Sequence, residues 1–384
     1  MAACTARRRE GGAAAIRLEL ARQLEHLGHS VDILFEEDVI PSRFLPKRFH
    51  ELDFSLGVAR HILRNSTQYD VVHLRAPAGC VYGFAKRFAR NAPPYVVELD
   101  GLEERRAYAI RQEMRKGRGW DSKFKNRLWH RFYHMPRFRV AVKTADWIVC
   151  SNREIWSYLQ LVYGLNYEKM TRVPHGVEMR FIRERDYPPV QSPKLLYVGT
   201  WLEQRGIRYL GQAFSQIVRS LPGAHLTIVG CGLDRGEVLR WIPADAQQSV
   251  NVIPFVPSAE MPEVYAAHDI FVFPSFFEGL PLSLLEAMAG GMPVITTETC
   301  GMMDVVTDDW NGILIRPGDS QAIVDAVLRL TASADLRKFL GTNAHESAVS
   351  YSWEKVTSRL LSVLENVLRQ TRQDKSHNTE QLKP

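Results

Sequence analysis

No stretch of this 384-residue chain runs apolar for the ~18–20 residues that a transmembrane helix needs, so no membrane-spanning helix is expected. The opening residues, Met-Ala-Ala-Cys-Thr-Ala-Arg-Arg-Arg-Glu, hold no apolar core of the kind a secretory signal requires. Cysteine is scarce. Cys4, Cys80, Cys150, Cys231 and Cys300 are widely spaced, odd in number and without a C-x-x-C pair. That pattern fits a reducing cytoplasm and neither a disulfide framework nor a zinc site. There is no Asp-x-Asp, no His-Glu-x-x-His and no internal repeat, so nothing points to a resident metal or to a solenoid.

What is present describes a globular chain, 45% hydrophobic and 24% charged, long enough for two domains with proper cores. The net charge of +6 is unevenly spread. Between Arg105 and Lys143 thirteen Lys and Arg stand against Glu113 and Asp121 alone. Trp120, Phe124, Leu128, Trp129, Phe132, Tyr133 and Phe138 interleave with them. The block reads either as a solvated face or as a basic aromatic surface for an anionic membrane. Nothing in it resembles a groove-reading or single-strand module, so no nucleic acid is expected.

Strands alternate with helices throughout, which means parallel sheets. In the first half Ala13 to His26 is helical and Ser30 to Phe35 a strand. A helix over Leu56 to Leu63 precedes a strand at Tyr69 to Leu74. Cys80 to Arg90 then reads as a helix and Tyr95 to Leu99 as a strand. Ala145 to Cys150 is a further strand, with Ser151 capping the next helix. Arg183 to Pro193, with three prolines, reads as a linker. The expected division is 1–185, 186–350, a C-terminal helix over 351–369 and a disordered polar tail over 370–384.

The stretch from His268 to Thr297 organises the second half. Ile270 to Phe273 form a strand stopped by Pro274, and Phe276 to Leu280 a loop. Pro281 suits the first position of a helix that Gly290 and Gly291 end, and Val294 begins the next strand. Glu278 is therefore expected in a loop at the carboxyl end of a strand, where open parallel sheets bind ligands. Glu286 is expected inside the helix. The N–H groups of Leu282 and Ser283 precede the helical ladder, and with the helix dipole they favour an anion by ~0.3–1 kcal/mol. Spacing alone leaves an ordinary βαβ unit with solvated glutamates equally open.

Pro-Ser-x-x-Glu-Gly followed by Leu-Leu-Glu-Ala-Met-Ala-x-Gly-x-Pro-Val resembles the signature of retaining glycosyltransferases of family 4, which have the GT-B fold. The first half is similar too, through Gly11-Gly12, Leu-Gly-His-Ser-Val, Tyr-Asp-Val-Val-His and Ala-Asp-Trp-Ile-Val-Cys-Ser. The resemblance implies two Rossmann-like domains facing across a cleft, the last helix crossing back to the first. It also implies sugar transfer with retention from a nucleotide-diphosphate-sugar donor, without a cofactor.

By that resemblance Glu278 contacts the donor sugar and Glu286 the ribose; the N–H groups of Leu282 and Ser283 are then expected to meet the diphosphate, with Gly279 and Leu280 as further donor-binding residues. Gly199-Thr200-Trp201-Leu202-Glu203-Gln204-Arg205-Gly206 matches the family's Gly-Arg-Leu-x-x-x-Lys-Gly. Arg205 falls on the lysine and can bind phosphate bidentately, whereas Thr200 removes the other cation. As structure alone, Arg205 is a surface residue at a helix start. Val-Pro-His175-Gly176-Val-Glu matches Pro-Asn-Gly-Val-Asp, with histidine for asparagine, and is otherwise a plain turn. Gly230 ends a strand in a Gly-x-Gly turn, which is weak evidence by itself. Asp100 takes the place of a strand-tip histidine. It can accept a hydroxyl proton or orient a sugar, or it caps the helix that follows.

The family's glycine pair normally follows a first strand, and here only ten residues precede it, so that strand is expected to be missing. The resemblance thus implies a metal-independent hexosyltransferase for surface polysaccharide or glycolipid. It would work in the cytoplasm, peripheral on the inner face of the membrane, on an unknown sugar or lipid-linked acceptor. Two other readings stay open: a degenerate nucleotide-sugar-binding protein or partner subunit, and a GT-B enzyme of another reaction such as epimerisation.

Overall fold

The computed structural model describes residues 1, 12–39, 45–89, 91–115, 117 and 129–380. The chain divides into two compact units. One comprises Met1–Gly101, Ser122–Pro174 and Trp353–Pro384, the other Leu102–Asp121 and His175–Ser352. The helices up to the boundary are α1 (Gly12–His26), α2 (His50–Arg64), α3 (Cys80–Ala85), α4 (Glu103–Arg115), α5 (Met135–Thr144) and α6 (Arg153–Tyr163). Of these, α4 belongs to the second unit.

The first unit holds a parallel sheet of β1 (Val72–Arg75), β2 (Tyr95–Leu99), β3 (Trp147–Cys150) and β4 (Met170–Arg172), in that spatial order. Every residue of β2 and β3 is buried, as expected of parallel strands covered on both faces. In register Val72 faces Tyr95, Val96 faces Trp147 and Ile148 faces Met170.

Three sequence expectations change here. Ser30 to Phe35 does not form a strand: only Leu34 is bridged, its N–H donating to the Met1 carbonyl at 3.0 Å. An extended segment with no ladder partner among the described residues has no second row of hydrogen bonds there to make it a strand. The missing first strand and the middle of the basic block, 116 and 118–128, fall outside the described residues. The cap of α6 is Asn152 rather than Ser151, its Oδ1 accepting from Ile155 N–H at 2.9 Å. The helix expected over Cys80 to Arg90 is α3 followed by a 3₁₀ turn at Lys86–Phe88.

The second unit holds six parallel strands: β5 (Lys194–Val198), β6 (His225–Val229), β7 (Val250–Ile253), β8 (Ile270–Phe273), β9 (Val294–Thr297) and β10 (Ile313–Ile315). Their order is β10-β9-β8-β5-β6-β7. The chain thus builds outward from β5 to β7, returns, and builds outward from β8 on the other side. The strand ends of β5 and β8 are the topological switch point of the sheet. The helices are α7 (Ile207–Ser220), α8 (Arg235–Leu239), α9 (Met261–Ala266), α10 (Leu282–Ala289), α11 (Met302–Val305), α12 (Ser320–Ala332) and α13 (Ala334–Val349). Ser333 caps α13, its Oγ accepting from Leu336 N–H at 3.1 Å.

The last helix, α14, runs from Trp353 to Glu380 and packs along α1 in the first unit. It continues well past Leu368, so the stretch expected to be a disordered tail is helical through Glu380. Residues 370–380 are polar but contain neither glycine nor proline, and nothing in them stops a helix already nucleated by its buried first half.

Packing in the second unit is close at the crossing of α10 and α13. A Cβ on Gly341 would lie inside the van der Waals radii of the Gly291 carbonyl and the Tyr187 hydroxyl. A helical glycine with free space around it gains stability on replacement by alanine. Here the sign reverses: Gly341→Ala is expected to cost about 1–3 kcal/mol, measured as a lowered denaturant midpoint at unchanged slope.

Candidate functional site

Direct pairing of β5 with β8, Leu195 on Ile270 and Leu196 on Phe271, brings their following loops side by side. The first loop turns at Gly199 (φ 141°) and is held by Tyr197 Oη, which donates to the Thr200 carbonyl at 2.9 Å. It closes in a 3₁₀ turn, Glu203–Arg205, and Gly206 (φ 74°) opens α7. The second loop is tied to the first by Phe276 N–H, which donates to the Gln204 carbonyl at 2.9 Å.

Across these loops Arg205 Nε lies 2.9 Å from Glu278 Oε1, with the guanidinium 5.7 Å above the Phe273 ring. The glycines make this arrangement fit. A Cβ on Gly199 would collide with the Arg205 guanidinium, and one on Gly206 with the Pro274 carbonyl. Burial raises the pKa of Glu278 above the usual carboxylate range, a shift that Arg205 and then His175 only partly oppose. His175 is buried, and its Nδ1–H donates to the Leu280 carbonyl at 2.8 Å. That bond ties the buried segment at His175 and Gly176 to the Glu278 loop. Gly279 backs onto Gly301, where a Cβ would strike the Gly279 carbonyl.

Pro281 caps α10 from outside (ψ 123°) rather than occupying its first turn, one residue from the expectation. Leu284 and Leu285 N–H donate to its carbonyl at 3.2 and 3.4 Å, so the N–H groups of Leu282 and Ser283 precede the ladder. Half-buried in α10, Glu286 accepts from Tyr265 Oη at 2.7 Å. Burial pushes its pKa up to about 7. The Tyr265 hydroxyl pulls the other way, and Glu178 adds to the rise. Gly230 (φ 70°) ends β6 beside the first loop, where Gly199 N–H donates to the Val229 carbonyl at 2.9 Å. Thr200 is exposed and puts no cation there.

The second unit therefore gathers Arg205, Glu278, His175, Glu286 and the α10 N-terminus around one switch point. Asp100 lies in the first unit, at the tip of β2. Arg75 Nε approaches it at 2.9 Å and Arg17 Nη2 at 4.0 Å. Beneath it Arg17, 1% exposed, pairs with buried Glu98, which also has His73 Nε2 at 3.1 Å. Burial pushes the Glu98 pKa up and Asp100 adds to the rise, but Arg17 and His73 together hold the carboxyl below its usual range. Sequence reasoning missed Tyr265, Tyr197 and Arg17. No motif marks them, and Tyr265 and Arg17 matter only through partners distant in sequence, while Tyr197 acts on the turn just after its strand.

Residues 10–181 match the family model of Glycosyltransferase Family 4, and residues 192–333 that of Glycosyl transferases group 1. The chain belongs to glycosyltransferase family 4. This family 4 member is 29% identical over 242 residues to a D-inositol 3-phosphate glycosyltransferase of Xylanimonas cellulosilytica, a match covering 58% of the chain and 57% of that protein. It is 22% identical over 364 residues to the sulfoquinovosyl transferase SQD2 of Arabidopsis thaliana, covering 88% and 67%. The chain spans about half the length of the first of these curated relatives.

Among solved structures it resembles sucrose-phosphate synthase of Thermosynechococcus elongatus, with TM-score 0.74, 20% identity and 94% of each chain covered. It also resembles HepE of Anabaena in complex with UDP-glucose, with TM-score 0.68, 15% identity and coverage of 95% and 98%. The fold is that of the GT-B glycosyltransferases, built from two Rossmann-like α/β units.

Tyr265→Phe removes the one hydroxyl that favours the Glu286 carboxylate. The carboxyl carbon of Glu286, followed by NMR, is expected to titrate near pH 7 in the parent and higher in the variant. Because folding raises this pKa from its ordinary 4.5 to about 7, the charged form is disfavoured in the folded state. Glu286 therefore withdraws stability as pH rises through that window, and Glu286→Gln is expected to flatten that part of the stability profile.

Proposed function

We propose that the chain is a retaining, metal-independent hexosyltransferase. It moves a sugar from a nucleotide-diphosphate-sugar to a sugar or lipid-linked acceptor in surface polysaccharide or glycolipid synthesis, peripheral on the cytoplasmic face of a membrane. The observation that carries this reading is the pairing of Arg205 with Glu278 at the switch point, beside the open N-terminus of α10. A cation and a carboxylate held side by side match the two halves of one ligand, a diphosphate and a polyol. The UDP-glucose bound to the similar HepE structure supports that ligand class.

Arg205 and the N–H groups of Leu282 and Ser283 take the diphosphate, where they oppose the charge that grows as the glycosidic bond to phosphate breaks. Glu278, released from Arg205, accepts hydrogen bonds from the sugar hydroxyls. Glu286 accepts from the ribose, and Gly199, Gly230 and Gly279 let the backbone come close. His175 holds the Leu280 carbonyl and with it the course of the loop. Asp100, kept among cations at the tip of β2, is proposed as the carboxylate for an acceptor hydroxyl. Charge compensation by a guanidinium and helix amides gives the diphosphate its counter-charge from protein groups, which is the ground for metal independence.

Exposed Thr200 favours one competing reading, a nucleotide-sugar-binding protein without turnover, because a second cation is absent from the first loop. A panel of UDP-, GDP- and ADP-sugars assayed in chelator separates the two. Turnover of at least one donor with retained anomeric configuration is expected. Glu286→Ala is expected to weaken nucleotide binding about 10-fold or more, as for a charged hydrogen bond of ~1.5–3 kcal/mol. Thermal stabilisation by nucleotide without turnover would select the binding protein. Unchanged nucleotide affinity in both Glu278→Ala and Glu286→Ala would remove the site assignment altogether.

A further inference from the structure

In the first unit α2, α3 and α5 pack side by side as one layer. Arg137 of α5 bonds Glu51 of α2 at 2.8 Å and Ser55 at 3.4 Å. Gly83 lets α3 sit tight on α5, since a Cβ there would strike Thr144. The inward face of the layer is ordinary core. Its outward face is not ordinary surface.

On α3 and the turn after it, Phe84 is 55% exposed and Phe88 78% exposed, with ring centroids 5.5 Å apart. Arg87 stands exposed between them, while Lys86 is taken by Asp146. On one side α2 presents Arg60 and Arg64, four residues apart. On the other α5 presents Arg139 and Lys143 at the same spacing. The acidic residues of α2 do not balance them: Asp53 is buried and Glu51 is held by Arg137. Among the described residues of α2, α3, α5 and the turn after α3, no Asp or Glu is exposed. Two aromatic rings packed edge to face in water, rimmed by cations of one sign, need a partner that is apolar in its interior and anionic at its surface.

We propose that this face docks on an anionic lipid bilayer, with Phe84 and Phe88 at the acyl boundary and the flanking cations on the headgroups. A second copy of the chain fits poorly, because self-pairing would set arginine against arginine. The aliphatic stems of Arg87 and Lys143 can lie along the apolar zone while their charges stay in the headgroup layer. The inference does not rest on donor chemistry. It places the membrane contact on α2, α3 and α5, of which the basic block covers only α5.

Flotation of the full chain with vesicles tests it. Binding is expected to vesicles of phosphatidylcholine with phosphatidylglycerol, to be absent on phosphatidylcholine alone, and to fall with salt. Phe84→Ser with Phe88→Ser is expected to weaken binding tenfold or more, and Arg87→Ala or Lys143→Ala about fivefold each. Arg316→Ala, on the exposed surface of the second unit, should leave it unchanged. Equal binding to neutral vesicles, no flotation, or flotation indifferent to Phe84 and Phe88 would overturn the proposal. So would loss of self-association, or of oligonucleotide binding, as the main effect of those variants. Unfolding midpoints check that each variant folds. UDP affinity of the same proteins reads the donor site independently, so the two assignments fail separately.

Discussion

Everything at the switch point turns on a single ion pair, Arg205 with Glu278, formed where two strand-end loops meet. Taking a guanidinium and a carboxylate out of water costs several kcal/mol per ion, and a pair of this kind seldom adds net stability. The surroundings are nevertheless shaped to keep it. Gly199 leaves room for the guanidinium, Gly206 lets α7 start under Pro274, and Phe276 N–H bonds the Gln204 carbonyl to fix the loops together. Burial still raises the Glu278 pKa, so the pair is incompletely compensated. A ligand that brings its own negative charge to Arg205 and hydroxyl donors to Glu278 relieves that deficit. On the proposed reading a nucleotide-diphosphate-sugar is such a ligand.

Glu286 shows the same logic one helix further on. A ribose-holding acceptor works best ionised, yet burial moves this carboxyl up to about 7, against the Tyr265 hydroxyl and the more distant Arg180, which favour the charged form. Both glutamates are thus less stable as anions in the protein than in water. The binding free energy of hydroxyl donors would go partly into restoring their charge, so donor affinity should be coupled to pH.

Much of this was readable from the sequence. The strand, loop, helix and strand of residues 268–297 appear as β8, α10 and β9 with boundaries within a residue or so, because proline and paired glycines punctuate the chain there. The meeting of Arg205 with Glu278 was not readable, since it depends on β5 lying next to β8, a crossover that leaves no trace in local spacing. Tyr265 on Glu286 and Arg17 under Asp100 were invisible for the same reason. The segment Ser30 to Phe35 has strand composition, yet pairing, which composition does not supply, decides whether a strand forms. The basic block drew attention to Arg105–Lys143, whereas the exposed pair Phe84 and Phe88 sits on α3 and the turn after it, a stretch so short that its outward face shows only once the layer is built.

The most direct measurement is a structure of the chain with a non-hydrolysable nucleotide-diphosphate-sugar bound. The account predicts diphosphate oxygens within hydrogen-bond distance of Arg205 and of the Leu282 and Ser283 N–H groups, with Glu278 turned from Arg205 to the sugar. A diphosphate seated at any other strand end, with the Arg205–Glu278 pair still closed, would contradict it.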